Sequence, residues 1–232
     1  MASDSILQFS IWKFIVLVLG GYLIGSIPWG VIIGWLWKGV DIRKYGSGNI
    51  GATNTLRVLG IGPAIAVFIA DALKGAVAAY LGKWLAASAL PGEGILFQRN
   101  ILGLLGGTSA VIGHNWPVYL KFKGGRGVAT ACGAALIIFP REILIAFAIW
   151  LAVVALTRYI SLGSMIAAIS APFILLAFHN HPVYVLFTAV LAALVVYRHR
   201  PNIGRLLAGR ESKLGERVPL TKELPPRDGP RP

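Results

Sequence analysis

Long apolar runs recur along this chain, and they restrict its possible folds more than any other feature. The hydrophobic fraction is 56% and charged residues make up only 13%, whereas soluble domains carry about 25% charged residues. Runs long enough to cross a bilayer argue against a soluble domain, and the sequence lacks the short alternating segments of a membrane β-barrel. It therefore predicts an all-α, polytopic membrane protein.

Seven predicted transmembrane helices organise residues 1–211 as one membrane domain. We place them near residues 11–37, 61–81, 101–119, 128–139, 143–156, 162–178 and 183–197. The fourth is short, and Pro28 is expected to kink the first. Residues 202–209 are predicted to form a short interfacial helix. Residues 212–232 form a basic, proline-rich tail that is predicted to be disordered in the cytoplasm.

The formal net charge of +13 is explained by topology rather than by nucleic-acid binding. With seven spans, 17 of the 22 Lys and Arg residues fall on one side and 4 on the other, while Lys74 lies within a span. Cytoplasmic loops collect basic residues. We therefore expect the N-terminus outside and the C-terminus in the cytoplasm.

Three segments rich in glycine, polar groups and cations all fall on the predicted cytoplasmic side. They are residues 46–57, 113–130 and 199–211, and the second contains the run Lys-Phe-Lys-Gly-Gly-Arg-Gly at 121–127. Glycine lets backbone amides approach a ligand closely, and Lys and Arg supply charge and hydrogen-bond donors. A helix beginning near Ala52 would also direct its first amides at an anion. The pattern favours a phosphate site, although each segment alone also fits a plain loop, a topological anchor or a headgroup contact.

Asp71 and Lys74 lie three residues apart within the second predicted span, on one helical face. Charges at this depth must face the protein interior or a wet cavity. Two interpretations stay open, which are mutual neutralisation and the lining of a substrate site.

No metal or organic cofactor is expected. Cys132 is the only cysteine, so the sequence offers neither an internal disulfide nor a cysteine-based metal site. His179 and His181 fall on the other side of the membrane from the three polar segments and are interpreted as turn residues. The polar segments contain one carboxylate, Glu211, which disfavours paired-carboxylate and Ser-His-Asp mechanisms.

In order and spacing, the three segments resemble the motifs of the PlsY family, the bacterial glycerol-3-phosphate acyltransferases that use acyl phosphate as donor. The first resembles S-G-N-x-G-x-x-N-x-x-R, carried by Ser47, Gly48, Asn49, Gly51, Asn54 and Arg57. The second is similar to G-H-x-x-P followed by F-K-G-G-K-G-V-A-T, with Gly113, His114, Pro117 and residues 122–130. The third resembles H-R-x-N-I-x-R-L-x-x-G-x-E, with His199, Arg200, Asn202, Ile203, Arg205, Leu206, Gly209 and Glu211. The resemblance covers residues 11–211.

This resemblance implies transfer of a fatty acyl chain from acyl phosphate to the sn-1 hydroxyl of glycerol 3-phosphate. The products would be lysophosphatidic acid and phosphate, in the first step of phospholipid biosynthesis. The implied enzyme is a monomer, surrounded by lipid, in the bacterial inner membrane, and its active site faces the cytoplasm. It binds no nucleic acid.

The resemblance also implies a set of site residues. The catalytic residues would be Ser47, Asn49, Lys123 and His199. The substrate-binding residues would be Gly48, Gly51, Thr53, Asn54, Arg57, His114, Gly124, Gly125, Arg126, Gly127, Thr130, Asn202 and Arg205. Either His199 or a substrate phosphate oxygen could take the proton. Arg126 stands where the family usually has Lys; it keeps the charge and can grip phosphate at two points, so we expect altered affinity rather than lost function.

Three other functions would account for part of this pattern. A transporter or binding protein for organic phosphates would use the same cations, but the inverted repeats that would favour it are not visible between the halves. The acyltransferase class with an H-x-x-x-x-D signature is excluded because none of the four histidines has Asp five residues later. A purely structural membrane anchor leaves the glycine segments unexplained.

Overall fold

The structure, a computed structural model, describes residues 2–87 and 95–218, and these residues form α-helices joined by short loops, without a β-strand. The prediction of an all-α fold is therefore confirmed for the described residues. Two 3-10 turns lie at Ile42–Lys44 and Val118–Leu120. The helices are α1 (Ala2–Ser26), α2 (Trp29–Lys38), α3 (Ala52–Leu59), α4 (Ile61–Ala87), α5 (Ile95–Asn115), α6 (Val128–Ile138), α7 (Pro140–Thr157), α8 (Ile160–Ala177), α9 (Pro182–Arg198) and α10 (Arg200–Leu207).

Each predicted span corresponds to a helix, but not every helix is long or apolar enough to cross a bilayer. Four segments qualify, at 11–38, 61–86, 140–157 and 160–177, and α9 with α10 makes a fifth that is bent by 57°. Helix α5 carries polar residues in its first turns, and α6 has 11 residues. A helix of that length measures about 16 Å, against a hydrocarbon core of about 30 Å. The count of seven spans therefore remains a prediction.

Local sequence signals explain where several helices begin and end. Pro28 separates α1 from α2, because proline has no N–H to donate within a helix, so the helix is interrupted where the sequence predicts a kink. Helix α2 ends at Lys38 and is followed by Gly39, whose φ of 64° suits glycine. The predicted helix near Ala52 is α3, and the predicted interfacial helix is α10, which begins two residues earlier than expected. Of the predicted disordered tail, residues 219–232 lie outside the described residues.

The helices pack in two groups. Helices α1, α4, α5 and α6 form one group and meet at glycines: a Cβ on Gly25, Gly75 or Gly82 would overlap the backbone of the neighbouring helix. Helices α7, α8 and α9 form the second group and pack on one another in sequence. Small residues thus bring the first group close together, as is usual between helices in lipid.

The two groups are joined at one end by a buried cluster, and they carry polar loops at the other. The cluster consists of Ala79, Leu104, Ala134, Ile138, Phe139, Leu175 and Tyr184. We call the end that contains this cluster the opposite end. The polar end is the one that carries residues 42–57, 114–128 and 199–211. Helix α1 runs towards the polar end, since Gly25 near its end packs on Ala110 of α5. Residues 211 and 212 lie at the polar end, where they contact Ser161 and Arg57.

Candidate active site

Two cavities meet at the polar end. The larger has a volume of about 510 Å³, lies between the two helix groups and is lined mostly by apolar side chains of α4 to α9. The smaller has a volume of about 200 Å³ and is lined by Ser47, Gly48, Asn49, Gly124, Arg126, Tyr197, Arg198, Arg200, Pro201 and Arg205. Ser47, Asn49 and Arg126 border both. An apolar space and an arginine-lined space are thereby connected through three polar residues.

The loop before α3 takes its shape from Asn54, which is buried. The Ser47 amide and hydroxyl donate to Asn54 Oδ1 at 2.9 and 3.1 Å. Asn54 Nδ2 in turn donates to the carbonyls of Ile42, Tyr45 and Asn49, at 2.9, 3.3 and 2.9 Å. All of these bonds stay within the loop. Asn54 therefore holds Ser47 and Asn49 in place at the junction of the cavities.

Helix N-termini also face the larger cavity. Helix α3 begins at Ala52 and α6 begins at Val128, and both residues line the cavity wall. The first amides of an α-helix have no acceptor within the helix, and the helix dipole favours negative charge at this end. The wall near the junction is thus suited to an anion.

The glycine loop at 121–127 is folded tightly onto the end of α5. The Gly125 amide donates to the His114 carbonyl at 2.9 Å, and a Cβ on Gly125 would overlap the His114 ring. Arg198 Nη2 donates to the carbonyls of Gly125 and Gly124 at 2.7 and 3.3 Å, and its Nε donates to Gly125 at 3.1 Å. The loop is therefore fixed from α5 on one side and from α9 on the other.

Buried charges lie behind this loop. Lys74 Nζ is 2.8 Å from Asp71 Oδ1, and His114 Nδ1 is 3.4 Å from the same oxygen. Lys74 also donates to the Ile27 carbonyl at 3.0 Å, at the break between α1 and α2. The charges pair with each other, as the first interpretation from the sequence holds. Asp71 also borders the larger cavity, and the lining of a substrate site stays a prediction.

His199 lines the larger cavity, and its ring keeps one nitrogen as a hydrogen-bond acceptor. Its Nδ1 lies 2.8 Å from the Val195 carbonyl. A carbonyl can only accept a hydrogen bond, so Nδ1 carries the hydrogen and Nε2 keeps its lone pair. Burial, reinforced by the nearby Arg126 guanidinium, lowers the pKa of His199 to about 4. The imidazole is therefore neutral at pH 7.

Charge at the junction is set by arginines and one carboxylate. Burial and repulsion from Arg205 lower the pKa of Arg126 to about 10, so it is still cationic at pH 7. Glu211 accepts from Asn202 Nδ2 at 2.7 Å, from Ser161 Oγ at 2.8 Å and from Arg205 Nε at 2.6 Å. Burial disfavours its ionised form, but these bonds outweigh burial and keep the pKa of Glu211 below its usual value.

Most of the residues predicted for the site lie at these cavities. The larger cavity is lined by Ser47, Asn49, Gly51, Thr53, Asn54, Arg57, His114, Arg126, Gly127 and His199, and the smaller adds Gly48, Gly124 and Arg205. Four predicted residues line neither: Lys123, which is exposed, and Gly125, Thr130 and Asn202, which are buried. Thr130 packs against Gly75 of α4, and Asn202 contacts Glu211. The roles of all these residues remain predictions.

Sequence reasoning did not select several residues that the structure places here. Tyr197, Arg198 and Arg200 line the smaller cavity, and Ser161 and Glu211 line the larger. Arg200 and Glu211 belong to the third motif, which was an available signal. Arg198 was counted only as a topological charge. Among residues 2–87 and 95–218, no cluster of three His, Cys, Asp or Glu side chains could hold a metal ion.

Comparison with known proteins gives one family. The sequence profile of the family described as glycerol-3-phosphate acyltransferase matches residues 15–209. Glycerol-3-phosphate acyltransferase 2 of Moorella thermoacetica is 53% identical over 196 residues, covering 84% of this chain and 95% of that protein. The glycerol-3-phosphate acyltransferase of Desulforamulus reducens is 42% identical over 204 residues, covering 88% and 96%.

Solved structures agree with this result. The chain is similar to crystal structures of PlsY, an integral membrane glycerol 3-phosphate acyltransferase. Its glycerol 3-phosphate form matches with a TM-score of 0.77 at 40% identity, covering 87% of this chain and 96% of that one. The lysophosphatidic acid form matches with a TM-score of 0.73 at 39% identity, covering 87% and 95%.

Proposed function

Because this chain belongs to the glycerol-3-phosphate acyltransferase family, we propose that it transfers a fatty acyl chain from acyl phosphate to the sn-1 hydroxyl of glycerol 3-phosphate. The chain is an integral membrane protein and a glycerol-3-phosphate acyltransferase of phospholipid synthesis. The finer points, namely the donor, the hydroxyl that reacts and the residues that act, are our proposal.

The observation that carries this proposal is the junction of the two cavities. The larger, apolar cavity suits a fatty acyl chain, and its volume of about 510 Å³ falls within the usual range for ligand pockets. The smaller cavity, with four arginines, suits the phosphate of glycerol 3-phosphate. An acyl phosphate that fills the first cavity would place its reactive carbonyl where Ser47, Asn49 and Arg126 border both spaces.

The reaction needs two anionic substrates to be held against each other, and the junction supplies donors for both. The hydroxyl oxygen of glycerol 3-phosphate attacks the acyl carbonyl carbon, and the bond from that carbon to the phosphate oxygen breaks. Phosphate leaves with the electron pair. Asn49 would stabilise the charge that develops on the carbonyl oxygen. Ser47 would join it only by turning its hydroxyl away from Asn54 Oδ1, to which both its amide and its hydroxyl donate. Positioning of the two substrates would supply much of the rate enhancement.

The hydroxyl proton passes to His199 Nε2 or to a phosphate oxygen of a bound substrate. We favour His199, because its Nδ1 is committed to the Val195 carbonyl and its Nε2 is free to accept. Glycerol 3-phosphate would reach across the junction, held by Arg205 of the smaller cavity and by Arg57 of the larger cavity. Asn202 lines neither cavity, so its role would be indirect, through Glu211, which also binds Arg205. Thr53 and the glycine loop would complete the cradle for acyl phosphate. Lys123 is exposed outside both cavities, so its catalytic role would require it to turn inward.

We extend the proposal to topology and location. The described chain begins at the opposite end and finishes at the polar end. This supports seven crossings, with the N-terminus outside and the C-terminus in the cytoplasm. The basic residues on the polar side support a site that faces the cytoplasm. We propose a monomer in the bacterial inner membrane, with residues 1–211 as the catalytic membrane domain and residues 212–232 as a tail.

One assay tests the reaction. Purified protein is mixed with glycerol 3-phosphate and either palmitoyl phosphate or palmitoyl-CoA, and lysophosphatidic acid is measured by mass spectrometry. We expect product from the acyl phosphate. Product from the thioester alone would overturn the donor assignment, and no product from either would overturn the activity.

A matched pair of variants tests the site. Arg57→Ala removes a charged donor from the cavity wall and should raise the KM for glycerol 3-phosphate more than about tenfold. Arg43→Ala is the control, because Arg43 is partly exposed and pairs with Asp41 at 2.7 Å outside both cavities. Equal effects of the two changes would contradict the proposed substrate site.

A further inference from the structure

The chain continues past the residues that the family profile matches and folds back across the polar end. The family profile ends at residue 209, whereas the structure describes the chain up to residue 218. We call residues 212–218 the strap. They follow Glu211, whose carboxylate is anchored by Ser161, Asn202 and Arg205.

The middle of the strap is bound to the turn between α7 and α8. Arg158 Nη2 donates to the Leu214 carbonyl at 2.7 Å, and the Leu214 amide donates to the Arg158 carbonyl at 2.7 Å. Lys213 Nζ lies 5.7 Å from the centre of the Tyr159 ring. This paired contact attaches the strap to the second helix group.

Both ends of the strap are bound to α3. The Ser212 carbonyl accepts from Arg57 Nη2 at 3.2 Å, and the Val218 amide donates to the Arg57 carbonyl at 3.0 Å. Arg57 is therefore held by its side chain and by its backbone. Because α3 packs on α4 of the first group, the strap connects the two groups across the polar end of the cavity that separates them.

We propose that the strap is a positioning segment for Arg57, which it holds in the orientation that binds glycerol 3-phosphate. This inference rests on the proposed function, in which Arg57 is a ligand of that substrate. The strap acts through Arg57 and need not touch the substrate itself.

The contact orients Arg57 without cancelling its charge. A guanidinium has five N–H donors in a fixed fork, and the Ser212 carbonyl accepts only one of them. The carbonyl is uncharged, so the cation stays available to a phosphate. Arg57 also still lines the larger cavity. Burial lowers the pKa of Arg57, and the Glu211 and Glu216 carboxylates oppose that shift. Neither forms a salt bridge with this guanidinium, since no ion pair to Arg57 is found among the described residues.

Two truncations test the strap, and they differ only in whether it is present. One chain ends at Glu211 and the other ends at Val218. Loss of one orienting hydrogen bond typically costs a factor of about 2 to 12. We therefore expect the shorter chain to show a KM for glycerol 3-phosphate raised by about that factor, with kcat within about twofold of the full chain. The chain ending at Val218 should match the full chain.

A point substitution tests the same contact if the shorter chain fails to fold. Val218→Pro removes the amide that donates to the Arg57 carbonyl, whereas Val218→Ala keeps it. We expect the proline variant, and not the alanine variant, to raise the KM for glycerol 3-phosphate. A merely structural role would instead lower the active fraction, and therefore kcat, at unchanged KM.

The outcomes separate the two proposals. If Arg57→Ala does not change the KM for glycerol 3-phosphate, the assignment of Arg57 in the proposed function is wrong, and the strap proposal fails with it. If Arg57→Ala raises KM but neither Val218→Pro nor the chain ending at Glu211 does, only the strap proposal is overturned. A lower KM in the chain ending at Glu211 would show that the strap obstructs the site, which also overturns it.

Discussion

Replacing Gly125 by alanine should damage the site severely, because this glycine has no room for a side chain. The new Cβ would overlap the His114 ring. The two would have to move apart by about 1.5 Å to reach a normal van der Waals distance. The ring cannot yield easily, since it is buried and lies 3.4 Å from Asp71 on its other side. The loop must therefore move, and its carbonyl bonds to Arg198 would be strained or lost.

The magnitude follows from the size of that displacement. A misplacement of about 1 Å in a positioning element can cost about 100-fold in rate, so we expect kcat/KM for glycerol 3-phosphate to fall about 100-fold. The assay is steady-state lysophosphatidic acid formation at fixed palmitoyl phosphate. The matched control is Gly204→Ala, since a Cβ there meets nothing within 4 Å. A Gly125→Ala enzyme with kcat/KM within about threefold of the parent would refute the reasoning.

Two further predictions concern the buried charges and the proton acceptor. Asp71→Asn leaves the buried Lys74 without its carboxylate partner, which should lower the free energy of unfolding by about 3–5 kcal/mol. Thermal denaturation in detergent should show this loss. Adding Lys74→Met to the same chain should restore most of the lost stability. His199→Ala should lower kcat about 100-fold or more at pH 7. Because the pKa of His199 is about 4, its Nε2 is protonated only below that pH. Between pH 5 and 7, kcat/KM should therefore show no fall that is caused by protonation of His199. A fall in this range that disappears in the alanine variant would contradict the low pKa of His199.

The sequence was sufficient to predict features that depend on local chemistry. Proline lacks an amide, so the break at Pro28 could be foreseen. Three glycine-rich segments in family order predicted that distant loops would meet, and residues from all three border the larger cavity. The start of α3 at Ala52 was likewise visible in the loop that precedes it.

Features that depend on tertiary packing could not be foreseen. Thr130 sits in a helix that is apolar or small on every side, so the sequence does not show which face turns to the cavity; in the structure Thr130 faces α4. Arg198 looks like any basic residue beside a membrane span, and its acceptors are loop carbonyls 73 and 74 residues away. Asn54 is recognisable from the sequence as a motif residue. Its hydrogen bonds to the loop before α3 could not be foreseen, because only the folded backbone brings the accepting carbonyls together.

The shortness of α6 has a consequence for the surrounding bilayer. If the end of α6 at Ile138 lies near one face of the hydrocarbon core, its beginning at Val128 stops roughly half of the core thickness short of the other face. Irregular backbone at such a depth is tolerated only inside protein or beside water. The glycine loop would then lie below the headgroups, packed on α5 and α9 and open to the cavities described above. A lipid-borne donor would react there without rising out of the bilayer, and the soluble acceptor would have to descend to meet it.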